Sequence, residues 1–166
     1  MTFVLRVALT LALSASATVS LAKDKTHNLS MMAMTGACIN CDFSGENLAG
    51  VDFSKKNLEG VDLTDAVADA ANFSSADMTD AMLSGGSFKS ADFSNSTINT
   101  DKVLGADFRS ANFQKASISL RSVSDTKFDG ANFTGASIEI WSCSVDHIGL
   151  SFRRANLSFS KDATRS

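Results

Sequence analysis

The chain has 166 residues, 44% of them hydrophobic, with no proline and a formal net charge of −3 at pH 7. This mildly acidic balance has no basic stripe, which argues against a protein that binds nucleic acid through a cationic surface. The absence of proline is expected where nearly every backbone amide donates to a β-ladder.

Residues 1–22 are predicted to be a secretory signal peptide. Arg6 is the only charge in this stretch, an apolar run covers residues 7–13, and small residues lead to a cleavage site after Ala22. The run is too short to span a membrane. We therefore expect an exported protein without a membrane anchor, located in the periplasm or secreted, or in the thylakoid lumen of a cyanobacterium or plastid.

A repeat domain is predicted at residues 38–149, because every fifth residue from Cys38 to Ile148 lies in one overwhelmingly apolar series. None of these 23 positions, which we call centres, is charged. The period of five fits neither an α-helix, at about 3.6, nor an alternating strand, at about 2. It requires a chain that brings one side chain to a common axis in every five residues.

A second period of twenty residues links every fourth centre. One series consists of phenylalanines only: Phe53, Phe73, Phe93, Phe113 and Phe133. The next series is aliphatic: Leu58, Met78, Ile98, Ile118 and Ile138. This pattern predicts a solenoid with four five-residue sides per coil, in which like side chains stack on like.

The residue two positions before a centre is often alanine, and the residue just before it is often Asp or Asn. Ala106-Asp107-Phe108 and Ala131-Asn132-Phe133 are examples. This motif resembles the pentapeptide-repeat family, over about two-thirds of the chain. The resemblance implies an all-β fold, a right-handed quadrilateral parallel β-helix, here of nearly six coils.

Residues 23–37, with Leu29 and three methionines, are predicted to form a short N-terminal cap.

Cys38 and Cys41 form a C-x-x-C motif at the entrance to the first coil, which resembles a recurring start of such domains. Three interpretations stay open: a structural disulfide, which an oxidising compartment favours; inert capping thiols; and a redox or metal-binding pair. The redox interpretation requires a helix N-terminus that stabilises a thiolate, and the metal interpretation requires a second pair of ligands. Neither is evident in the sequence.

Three large residues interrupt the column of small residues, at positions one coil apart: Asp101, Arg121 and Trp141. We expect an ion pair between Asp101 and Arg121 and a cation–π contact between Arg121 and Trp141. The outward positions nearby are unusually apolar: Leu104, Leu120, Ile140 and Val145. These seven residues form the predicted interaction edge.

Three occupants of this edge are considered. A partner protein or a second subunit would cover an exposed apolar patch of this kind. The C-terminal segment, with Phe152, Leu157 and Phe159, would cover it instead by folding back. A small ligand is the third occupant.

Residues 150–160 are predicted to form an irregular last coil or cap, because Arg153 falls where a centre is due. Residues 161–166 are predicted to be a disordered tail.

The sequence predicts a protein that is not an enzyme. No G-x-S-x-G, P-loop or H-E-x-x-H motif is present, and the narrow rod leaves no room for a catalytic cleft. We therefore expect no catalytic residues, no cofactor, no metal site and no small-molecule ligand.

The predicted function is that of a non-enzymatic exported scaffold or protein-interaction module, which binds an unknown protein partner or itself and no nucleic acid. One alternative is a DNA mimic, implied by the resemblance, since some family members bind DNA gyrase by imitating duplex DNA. The many lysines and arginines among the acids argue against it. The other alternative is a structural element of the envelope, joined end to end.

Overall fold

The structure, a computed structural model, describes residues 25–140, in which the chain winds as a parallel β-solenoid. Every backbone pairing joins residues twenty apart, as between Asp42 and Asp62 and between Asn112 and Asn132. Most sides of the coil contribute a single bridge. Longer pairings form one sheet of four strands in chain order: β1 (Asp77–Thr79), β2 (Thr97–Leu104), β3 (Ser117–Ser124) and β4 (Ser137–Ile140). The predicted all-β parallel β-helix is confirmed.

The predicted count of nearly six coils extends to Ile148, which lies outside the described residues, so it stays a prediction. The predicted signal peptide (residues 1–22), C-terminal coil (150–160) and tail (161–166) lie outside them too. Within residues 25–140, no helix combines the length and the apolar character that a membrane crossing requires.

The corners of the coil explain the polar residues of the repeat. The second residue after a centre takes a positive φ, between 52° and 71°, at 18 corners. This left-handed conformation favours Gly, Asn and Asp. The side chain of the Asp or Asn before the centre makes a local hydrogen bond to the backbone. Asp52 Oδ1, for example, accepts a hydrogen bond from the Ser54 amide at 2.9 Å. Such short polar side chains bond their own backbone two residues on.

The centres fill the axis of the rod. Phe53, Phe73 and Phe93 are completely buried, and their rings stack with centroids 4.9 Å apart. Alanines such as Ala91 and Ala111 occupy the small positions and are buried as well. Burial of each large apolar side chain contributes on the order of 1.5–3 kcal/mol, so the stacked rows are the main source of stability.

Helix α1 (Lys25–Thr35) precedes the first coil and packs against its end. Met32 joins the core, and Asn28 is buried with its Nδ2 atom donating to the carbonyl of Asp42 at 3.0 Å. One coil later, the equivalent carbonyl of Asp62 accepts the Phe43 amide. The side chain of Asn28 thus supplies the donor that a preceding coil would provide.

One corner changes its geometry along the rod. In its column Asn40, Gly60 and Asp80 have positive φ, whereas Thr100 and Leu120 do not and lie within the long strands β2 and β3. Their side chains turn inward, and Thr100 Oγ1 donates to the Ala81 carbonyl at 2.7 Å. Threonine and leucine disfavour the left-handed region, so the chain stays extended here.

The prediction that Leu120 belongs to an exposed edge is therefore wrong. Its side chain is only 5% exposed and packs in the core. Because Leu120 points inward, the next residue points outward. That residue is Arg121, which occupies the position where most repeats have a small side chain, and it is exposed. Leu120 also borders an apolar cavity of about 30 Å³, between the core rows of the later coils.

We expect replacement of Leu120 by alanine to destabilise the protein by about 2–5 kcal/mol, because it enlarges a cavity that is already present. The matched variant Leu104→Ala removes an exposed leucine and is expected to change stability by less than about 0.5 kcal/mol. Urea unfolding monitored by circular dichroism measures both. Equal losses would show that Leu120 is not inside the core.

Candidate interaction edge

The expected ion pair at the edge is present. Arg121 Nε lies 3.2 Å from Asp101 Oδ1, and both side chains are 74% exposed. The pairing of β2 with β3 brings them together, because it aligns residues twenty apart. An exposed pair of this kind contributes at most about 1 kcal/mol to stability. Because both side chains are largely exposed, their charges are accessible to a partner protein.

The apolar members of the predicted edge divide into three groups. Leu104 is 41% exposed, as predicted from its outward position. Ile140 is 42% exposed, but it belongs to the inward-turning column of Thr100 and Leu120 and lines the same apolar cavity as Leu120, so its predicted outward position is wrong. Leu120 is buried, and its backbone pairs with Thr100 on one side and with Ile140 on the other. Trp141 and Val145 lie outside the described residues, so their place in the edge stays a prediction.

A break in the β-ladder adds a groove on this side of the rod. Asp42 pairs with Asp62, Asp62 with Met82, and Lys102 with Ser122, but no pairing joins Met82 to Lys102 within the described coils. The break lies where the corner changes from Asp80 to Thr100. A groove of about 640 Å³ opens there, lined by Thr64, Asp80, Ala81, Met82, Ser84, Thr100, Asp101 and Lys102.

Met82, which was not predicted to belong to the edge, is 48% exposed and lines the groove. The signal was present, because Met82 occupies the position before a centre, where Asp42 and Asp62 stand in the same column. An apolar side chain there cannot make the local hydrogen bond of an Asp or Asn. We call Met82, Asp101, Leu104 and Arg121 together the open side.

The neighbouring side of the rod carries charges of both signs. Arg109 donates hydrogen bonds to both carboxylate oxygens of Asp107: Nε to Oδ1 at 2.9 Å and Nη2 to Oδ2 at 2.7 Å. Lys89 Nζ lies 3.6 Å from Asp69 and 3.9 Å from Asp107. Partial burial acts to raise the pKa of Asp107, but the hydrogen bonds and charge of Arg109 outweigh it and hold the pKa below its usual value.

Within residues 25–140, no group of three or more His, Cys, Asp or Glu side chains could hold a metal ion. The structure joins Cys38 and Cys41 in a disulfide, with their Cα atoms 5.4 Å apart. The described part of the edge can therefore offer contacts by apolar side chains and by exposed charges.

Comparison with known proteins places the chain among repeat proteins. The family described as pentapeptide repeats matches residues 37–67 and 57–95, in eight copies. No curated protein sequence matches the chain.

Solved structures of several repeat proteins are similar to the chain. A pentapeptide repeat protein from the Arabidopsis thaliana thylakoid lumen is 30% identical over 63% of this chain and 66% of its own length, just under two thirds, with a TM-score of 0.40. HetL, a pentapeptide repeat protein involved in heterocyst differentiation regulation in the cyanobacterium Nostoc, is 17% identical over 74% of this chain and 75% of its own, with a TM-score of 0.43. QnrB1, a plasmid-mediated fluoroquinolone resistance protein, is 19% identical over 74% and 68%, with a TM-score of 0.35.

We expect acid to weaken the fold through Asp107. A carboxyl group whose pKa is lowered by folding stabilises the protein above its unfolded pKa, near 4, and this contribution is lost as the pH falls through the folded pKa. The variant Asp107→Asn should have a lower melting temperature than the unmodified protein at pH 7. Its melting temperature should fall by less on acidification below about pH 4. Melting curves of both proteins between neutral and acid pH measure this.

The control for that experiment is Asp80→Asn, which replaces an exposed corner residue by one that tolerates the same backbone conformation. Its melting temperature should follow the unmodified protein at each pH. If Asp107→Asn and Asp80→Asn behave alike, the contacts of Asp107 with Arg109 do not stabilise the fold.

Proposed function

The chain belongs to the pentapeptide-repeat family, and from that premise we propose that it is a non-enzymatic exported scaffold that binds a partner protein through its open side. The observation that supports the proposal is the exposure of Met82, at 48%, and of Leu104, at 41%, in adjacent coils on the same side of the rod. Apolar side chains grouped on an exposed surface are typical of protein-binding sites.

The open side also differs from the rest of the rod in shape. Elsewhere the described sides repeat with regular corners and paired rungs, and their outward side chains are mostly polar, with Ile39 and Val67 as exposed apolar exceptions. At the open side the missing rung between Met82 and Lys102 leaves a groove. The exposed Asp101–Arg121 pair stands beside it. Shape, apolar surface and accessible charge thus coincide there, as they do where proteins recognise one another.

Export is the second part of the proposal and is supported by residues 1–22. Their apolar run and the small residues before Lys23 have the character of a cleaved signal peptide. The disulfide between Cys38 and Cys41 is in keeping with an oxidising compartment. The partner would then be another protein of that compartment.

A photo-crosslinking residue in place of Leu104 tests the open side directly. We expect the full chain, expressed in its source organism, to yield a discrete protein adduct in the exported fraction after irradiation. Val67 provides a matched control, because it is also 41% exposed but lies on the neighbouring side. Adducts of equal yield from both positions, or none from Leu104, would contradict the proposed binding surface.

The DNA-mimic alternative finds less support in the charges of the rod. A duplex mimic requires continuous negative rows, whereas Lys89 and Arg109 lie within the acidic group that includes Asp69 and Asp107. We expect the purified protein to leave supercoiling by DNA gyrase unchanged, at concentrations well above that of the enzyme. If the protein inhibits supercoiling, and if reversal of the charges on its surface abolishes that inhibition, the DNA-mimic interpretation is favoured instead.

A further inference from the structure

Among the described corners of the solenoid, the first is the one that a disulfide crosses. At most other corners the amide of the third residue after a centre donates to that centre's carbonyl at 3.0 to 3.3 Å, as from Val51 to Leu48 at 3.0 Å and from Lys56 to Phe53 at 3.3 Å. At the first corner the same bond, from Cys41 to Cys38, measures 3.5 Å. A bond of that length is weak. The disulfide between the two cysteines is therefore the main link across this corner.

The same corner supports helix α1. Cys38 is 2% exposed and belongs to the core cluster that also contains Met32 of the helix. Asn28 of the helix donates to the carbonyl of Asp42, next to Cys41 in the chain. No other coil precedes this one in the described chain. The disulfide thus holds the part of the solenoid on which the helix rests.

The two sulfur atoms differ in their surroundings. Cys38 is buried on the axis, whereas Cys41 is only partly buried, at the small position of the next side. A thiolate attacks a disulfide along a path to one sulfur, and the other sulfur leaves. Access from solvent therefore favours attack on Cys41 and departure of Cys38.

We propose that the Cys38–Cys41 disulfide is a site of thiol–disulfide exchange with an external dithiol, and that its reduction loosens the first coil and helix α1. The attacking thiolate bonds to Cys41 Sγ, the bond to Cys38 breaks, and Cys38 takes up a proton, because the apolar core disfavours its charge. The second thiol of the dithiol then displaces Cys41. Two electrons and two protons reach the protein, and the dithiol becomes a disulfide.

This proposal is independent of the binding role of the open side. It also assigns the pair as the substrate of a redox partner rather than as a catalyst. A catalytic cysteine pair is stabilised as thiolate at a helix N-terminus, but here the chain reaches Cys38 from the C-terminal end of α1.

The first experiment identifies the attacked sulfur. The full chain with Cys143→Ser, which leaves only the pair, is treated under native conditions with glutathione, quenched with acid and analysed by mass spectrometry. We expect the mixed disulfide on Cys41 and complete reduction by dithiothreitol without denaturant. A mixed disulfide on Cys38, or a disulfide that is reduced only after unfolding, would overturn the proposed exchange.

The second experiment measures the loosening by amide hydrogen exchange. The amides of Cys38 and Asn40 donate to the carbonyls of Asn57 and Glu59 in the next coil, at 2.7 and 2.8 Å. After reduction we expect them to exchange roughly tenfold faster, because the covalent link across the corner is lost.

The matched control lies one coil further along. There the amides of Leu58 and Gly60 make bonds of the same lengths to Asp77 and Thr79, and their exchange should not change. The variant Cys41→Ala should exchange fast at Cys38 and Asn40 with or without dithiothreitol. Exchange that is unchanged by reduction, or that rises equally in both coils, would refute the loosening.

Discussion

The structure depends on one constraint: each coil must satisfy its backbone hydrogen bonds through the neighbouring coils, twenty residues away along the chain in either direction. This ladder fixes the distance between coils and therefore the distance between side chains of one row. Phenylalanine rings from Phe53 to Phe133 follow it, with centroids 4.8 to 5.0 Å apart and planes within 6° of parallel. Rings of the neighbouring row, at Phe88, Phe108 and Phe128, meet them edge to face at 62° to 68°. The backbone ladder thus sets the packing of the core.

The fold could be predicted because this constraint leaves a direct trace in the sequence. A ladder with an offset of twenty residues aligns like side chains, and the phenylalanine row and the aliphatic row show that alignment before any coordinates. The offset also places Asp101 beside Arg121, so their ion pair followed from the spacing alone. The apolar period does not encode the backbone angle at each corner.

The error at Leu120 came from that missing angle. Its column begins with Asn40, Gly60 and Asp80, which accept a left-handed corner, and continues with Thr100 and Leu120, which do not. An extended corner reverses which of two adjacent residues faces the axis, so Leu120 enters the core and Arg121 leaves it. The groove beside Met82 results from the same change, because the ladder loses one rung where the two corner types meet. The chemical change along the column was visible, but its effect on the path of the backbone was not.

The uniform offset of twenty residues also has a consequence for how such a chain can change in length. Duplication of one whole coil would leave every row in line, and the rod would grow by a single layer. Loss of one five-residue unit would shift all later rows by one side, so that phenylalanines would stack on the aliphatic series. The geometry of the rows therefore accommodates a change in length by a whole coil of twenty residues, but not by a single motif of five.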